Sequence, residues 1–218
     1  LANWNVQLMN TLKTVIGDPN FDIGHMFGAS GGGGNAGCIG CVCDNGTTTN
    51  TYKGAGITSP ADGIPQGDNF DIDYVVHEVG HQMGANHTFT HSNESTGRQK
   101  EVGAGITIMG YAGITSWDPA PHSIDIYHET SIEQIQANMT TRTCPIITNM
   151  TVNHAPVVAP VSNYTIPIST PFALTGSATD PENDPLTYCW EQNDVHGGQT
   201  GNNSVAYAAK PVGPNYIS

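Results

Sequence analysis

Hydrophobic residues are spaced in two styles along the chain. From Trp4 to Ile16, the apolar residues Val6, Leu8, Met9, Leu12, Val15 and Ile16 recur at helix-like intervals until Gly17-Asp18-Pro19 stops them. A short strand is expected over 21–27. Residues 28–40 are nearly all small, with glycine at each of 31–34, and predict a loop or an irregular sheet edge. After a second loop at 60–67, Asp68, Asp71 and Asp73 supply carboxylates suited to a helix N-terminus. That helix should run through Tyr74, Val75, Val76, Val79 and Met83 and stop at Gly84. A polar excursion over 91–100 precedes a compact stretch at 103–114. Ser131 with Gln134 three residues later reads as a capping box, opening a helix that would bury Ile132, Ile135 and Met139.

Beyond about residue 153 the style changes to short alternating runs: Val157-Val158, Tyr164–Ile166, Phe172–Thr175, Leu186–Tyr188 and Val205–Tyr207, punctuated by Pro, Gly, Asn and Asp. Such runs predict a β-sandwich. The boundary falls near 148–155, giving an α+β domain over 1–148 and a short all-β, immunoglobulin-like module over 149–218. The second is shorter than the ~100 residues of a full sandwich, so a truncated module is expected.

Composition narrows the function. Six Lys+Arg stand against 19 Asp+Glu, a formal net charge of −13, and the six cations are scattered. Nucleic acid is excluded as a partner, because phosphate binding needs a basic face, and an anionic membrane surface is disfavoured likewise. No apolar run approaches the ~20 residues of a membrane helix, and Leu1–Asn10 lacks the features of a signal peptide. Cys38, Cys41 and Cys43 crowd one loop, with Cys144 and Cys189 far away. With no second ligand pair at zinc-finger spacing, a disulfide from this loop to Cys144, in an oxidising compartment, is expected over a zinc knuckle. The pairing stays open, as does the oligomeric state.

The chemistry concentrates in His77-Glu78-Val79-Gly80-His81-Gln82-Met83-Gly84-Ala85-Asn86-His87. On a helix His77 and His81 lie at i and i+4, so both imidazoles leave one face toward one metal ion. Glu78 stands beside that metal, where a water would bind. Gly84 turns the chain so that His87 returns as a third nitrogen. Three imidazoles with an open fourth position make a catalytic rather than a structural zinc arrangement.

This pattern, HExxHxxGxxH followed by Thr107-Ile108-Met109-Gly110-Tyr111, resembles the metzincin zinc endopeptidases. Phe21–Phe27, the glycine run after it and Gly67-Asp68-Asn69-Phe70 are similar to the reprolysin-like (adamalysin-like) branch found in secreted bacterial proteases. The resemblance spans roughly 1–145. It implies a zincin-like fold with a twisted mixed sheet and an active-site helix. It also implies zinc on His77, His81 and His87, Glu78 as general base and acid, Met109 in the Met-turn, and protein or peptide substrates lying along the edge strand 21–27. Tyr111 stands where typical reprolysins have proline. A tyrosine there is similar to astacins, serralysins and pappalysins, which implies contact with zinc or the oxyanion; a packed or surface tyrosine is the alternative. Family domains carry more chain ahead of this segment, so an incomplete upper half-domain is expected.

His25, His91, His122, His128, His154 and His196 lack partners at ligand spacing and read as packed or surface histidines. Asp180, Glu182 and Asp184 resemble a loop of cadherin-like and PKD-like domains and are candidates for Ca2+. The function expected is a secreted zinc endopeptidase. The alternatives are a cell-surface adhesin or binding protein carrying a degenerate protease domain, and a hydrolase of another acyl substrate.

Overall fold

In the computed structural model, which describes residues 3–217, the central element is the strand Gly56–Ser59 (β3). His25–Phe27 (β1) pairs with it in parallel, His25 opposite Gly56, and Gly33–Asn35 (β2) pairs antiparallel on the other side, Gly34 opposite Thr58. The sheet order is therefore β1-β3-β2. All four β3 residues are buried, as expected of a strand covered on both faces. The glycine run thus supplies an edge strand, β2, within what the sequence marks as loop or irregular edge. The strand expected over 21–27 forms only at its last three residues.

The first helix, Trp4–Thr11 (α1), continues through a wider π-type turn, Leu12–Ile16, and ends at Gly17 with φ 82°. The helix carrying the motif also has two windings: π-type over Asn69–Val76, then α over His77–Met83 (α2). Asp68 sits at its start without capping it through its side chain. Gly84 ends it at φ 125°, and its N–H bonds back to the Gly80 carbonyl at 3.0 Å. A side chain there would be strained and would press on Asn138.

The helix Glu129–Thr140 (α3) corrects the expected capping box. It starts earlier, and its N-cap is His128, whose Nδ1 accepts from the Thr130 N–H at 3.1 Å. Ser131 is buried with its hydroxyl unpartnered, and Gln134 accepts from the Asn86 N–H instead. Because Thr130 and Ser131 face inward, Ile132 rotates outward to 44% exposure, while Ile135 packs on the cluster of Ala85, Ile108 and Met109. At the far end Arg142 binds Asp44, Asn138 and the Gly40 carbonyl, and Asn138 donates to the Met83 carbonyl at 2.8 Å. A disulfide from Cys43 to Cys144 locks the same corner, Cys38 pairs with Cys41, and Cys189 is free.

The chain divides into two compact units, Leu1–Pro145 with Glu191–Ser218, and Ile146–Trp190. In the smaller unit Val157–Val158 (β4) pairs antiparallel with Ala178–Thr179 (β5). Of the alternating runs expected as strands, only the first is one among the described residues; Tyr164 and Ile166 are 72% and 45% exposed. A two-residue ladder buries too little apolar surface to hold a sandwich. Residues 205–207, expected as a strand of that module, belong to the larger unit. There the His196 N–H donates to the Gln99 carbonyl (3.0 Å), the Gly201 N–H to the His91 carbonyl (2.8 Å), and the Ser204 carbonyl accepts from Gly103 (3.1 Å). No helix is long and apolar enough to cross a membrane among the described residues.

Candidate metal centre and active-site cleft

One ring nitrogen from each of His77, His81 and His87 lies within 4.8 Å of the other two, the one such group of three potential ligands among the described residues. His77 and His81 project from the same face of α2, 4% and 7% exposed. Each ring is fixed from behind. His77 Nδ1 donates to the Ile108 carbonyl at 2.6 Å, and His81 Nδ1 to the Ala85 carbonyl at 2.7 Å. Both Nε2 atoms therefore present lone pairs. His87 arrives from the loop after Gly84, its Nδ1 facing both oxygens of Glu94 at 2.9 and 3.0 Å. Burial holds His77 well below the usual histidine range and His81 down at about 4, the neighbouring imidazoles pushing the same way.

His81 Nε2 and His87 Nε2 are 3.0 Å apart. With both Nδ1 atoms protonated, two lone pairs face each other, an arrangement that repels unless a cation stands between them. Tetrahedral Zn–N bonds of about 2.0–2.1 Å place ligand nitrogens roughly 3.4 Å apart, so the neutral imidazole set fits zinc.

Glu78, 9% exposed, lies beside this triad beneath the edge strand β2. Gly34 passes so close that any side chain there would overlap the Glu78 carboxylate. Burial raises the Glu78 carboxyl from 4.5 to about 7, with a backbone hydrogen bond at Ala36 opposing. The strand against the Glu78 carboxylate is therefore β2, whereas the expected substrate edge, 21–27, contributes β1 at the opposite side of the sheet. The Tyr111 ring lies tilted against His77 and edge-on to His87, with centroids at 5.6 and 4.6 Å. Burial and the charge of Glu78 push its hydroxyl up to about 12, so it stays protonated and able to donate. Glu78 and Tyr111 share a cleft of about 480 Å³ with Tyr74, Ile114 and His122.

Met109 is fully buried under α2, and a Cβ on Gly80 would stand 2.6 Å from its sulfur. The loop that carries it hangs on Glu101. This buried carboxylate accepts from the Ile106 and Thr107 N–H groups (2.9 and 3.0 Å) and from the hydroxyls of Thr88 and Thr107. Thr88 adjoins His87, and its N–H bonds the Met109 carbonyl at 3.1 Å. One acid thus ties the third histidine to the Met109 turn.

Of the acids singled out for the helix start, Asp71 stands in the first turn, whereas Asp73 serves elsewhere. Asp73 receives the Ser123 N–H and His122 Nδ1, each at 3.0 Å, at the cleft rim. In the smaller unit Asp180 Oδ1 accepts from the N–H groups of Glu182 and Asp184, so the Ca2+ candidates close a turn of their own. His25 is half-buried, bridging Gln82 of α2 (2.6 Å) and Thr58 of β3 (2.8 Å). His91 is half-buried, stacked on Trp117, and His128 is buried. Sequence reasoning missed Glu94 and Glu101. Their only signal was position, Glu94 within the polar excursion over 91–100 that follows the motif and Glu101 directly after it.

Comparison with curated proteins finds no match, and comparison with solved structures finds none either. The family model described as Metallo-peptidase family M12B Reprolysin-like matches residues 2–139. That span holds the histidine triad, both edge strands and α2, and the chain belongs to the reprolysin-like M12B metallopeptidases, a family of zinc-dependent peptidases.

Proposed function

We propose that the chain is a secreted metzincin endopeptidase, with zinc on His77, His81 and His87, Glu78 as general base and acid, and Tyr111 as oxyanion donor. The observation that carries this is a buried carboxyl, Glu78, raised to about 7 beside three convergent neutral imidazoles at an open cleft. Zinc, when bound, lowers the pKa of a water toward ~7 and polarises a peptide carbonyl. A carboxyl poised near neutrality takes a proton from that water and returns it to the leaving amine, since both directions are then nearly balanced. The protonated Tyr111 hydroxyl donates to the oxygen on which charge develops. The two disulfides suit an oxidising, extracellular setting. The catalytic domain is assigned to 1–148.

Glu78→Ala should keep zinc and lose about 10²–10⁴-fold in hydrolysis of a quenched-fluorescence peptide. Hydrolysis at the wild-type rate in a zinc-loaded variant removes Glu78 from the mechanism. Chelator-insensitive cleavage removes the metal from the mechanism, and no cleavage by the zinc-loaded wild type points instead to a binding protein on a protease scaffold.

A further inference from the structure

The three histidines differ in what stands behind them. His77 and His81 donate to backbone carbonyls that are part of the packed turn around Ala85 and Ile108. His87 donates to a carboxylate, and its side chain is 16% exposed. A ring on a loop, with water on one side, has fewer packing contacts to set its orientation.

The 91–100 loop is arranged to supply that carboxylate. The Glu94 N–H donates to Gln99 Oε1 at 3.0 Å, and Gln99, fully buried, donates in turn to the Ser92 carbonyl. The flanks are fastened by the Gly201 N–H on the His91 carbonyl and the His196 N–H on the Gln99 carbonyl. The two cations of the loop point away: Arg98 binds Glu133, and Lys100 binds Asn193. Glu94 is thus left facing His87, with both oxygens equidistant from one Nδ1.

We propose that Glu94 is a positioning residue for the metal, holding His87 with Nδ1 protonated and Nε2 aimed at the zinc, and making this imidazole the strongest donor of the three. A carboxylate behind a ligating histidine fixes its tautomer and raises its basicity, which a neutral carbonyl does less. It also places one negative charge next to the cation that three neutral rings leave uncompensated. The inference rests on the zinc assignment of His77, His81 and His87.

The test uses the whole chain, stripped of metal, as wild type, Glu94→Ala, Glu94→Gln and, as a control on loop integrity, Glu133→Gln. Zinc affinity is read by competition with a chromophoric chelator, ligand field by the visible absorption of the Co2+ form, and fold by thermal unfolding of the metal-free protein. Glu94→Ala should weaken zinc binding about 10–100-fold. Glu94→Gln, which keeps an acceptor but not the charge, should fall between it and wild type. Both should shift the Co2+ bands, with metal-free unfolding temperatures unchanged and Glu133→Gln binding zinc normally. Zinc affinity within twofold of wild type in either Glu94 variant overturns the proposal. So does a loss matched by Glu133→Gln or by lower metal-free stability, since Glu94 would then be only part of the loop. If wild type binds no zinc, the triad assignment fails and this proposal with it; zinc-binding wild type with indifferent Glu94 variants overturns the proposal alone.

Discussion

The two sides of the candidate metal centre are held by different physical means. On the helix side, the α-helical repeat sets His77 and His81 one turn apart, and backbone carbonyls fix both rings. On the loop side no repeat exists to place His87, Met109 or Tyr111. Their positions depend on carboxylates: Glu101 gathers four donors from Thr88, Ile106 and Thr107, and Glu94 faces His87. Regular structure satisfies its own polar groups, whereas an irregular loop pressed into a core must bring an acceptor for every N–H it buries. The helix side should therefore tolerate loss of any one polar partner better than the loop side does.

The sharpest way to break this comparison is Glu101→Ala. It orphans two N–H groups and two hydroxyls, each costing roughly 1–3 kcal/mol when fully buried, so a total destabilisation of about 3–5 kcal/mol is expected after relaxation. Urea unfolding of the metal-free protein measures it. A cost under 1 kcal/mol would mean the loop holds itself without the acid.

Next in size is the acid sensitivity of the helix side without metal. His81 is held at about 4 and His77 lower than usual, against 6.5 when unfolded. The unfolded chain then binds protons more readily. The stability from these neutral rings is complete above about pH 6.5 and is lost as pH falls toward about 4. Glu78 acts oppositely: raised from 4.5 to about 7, it contributes fully below about 4.5 and loses that contribution as pH rises to about 7. Two imidazoles outweigh one carboxyl, so stability should rise from pH 4 to 6.5, and Glu78→Gln should steepen the rise. Urea midpoints across this range would show it; a flat profile counts against neutral, buried rings. The smallest effect expected is that of Tyr111→Phe, about a 10²-fold drop in kcat with KM and zinc affinity little changed.

What the sequence disclosed follows the same division. The HExxHxxGxxH spacing, the helix from about 69 to Gly84 and the first helix were readable because periodicity and glycine stops are local signals. A disulfide from the 38–43 loop to Cys144 was expected too, though not which cysteine would form it. The capping box at Ser131 misled because an equally local competitor, the His128 ring, took the N-cap, turning Ser131 inward and Ile132 outward. The role of Asp73 was invisible because its partners, His122 and Ser123, are about fifty residues away. Gly34 looked like one more loop glycine; only its approach to Glu78 shows why a side chain is impossible there. Alternation beyond residue 153 suggested strands, yet periodicity does not supply the partner strands that would bury them.

The hydrogen bonds from His196, Gly201 and Ser204 to the segment around His91, Gln99 and Gly103 have a consequence for the order of assembly. The motif helix can form as soon as its own residues are made. The loop that bears Glu94 is braced by chain synthesised about a hundred residues later, so the metal site gains its final shape only when that segment has emerged and docked. A peptidase assembled in this order completes its candidate metal site late in its own synthesis.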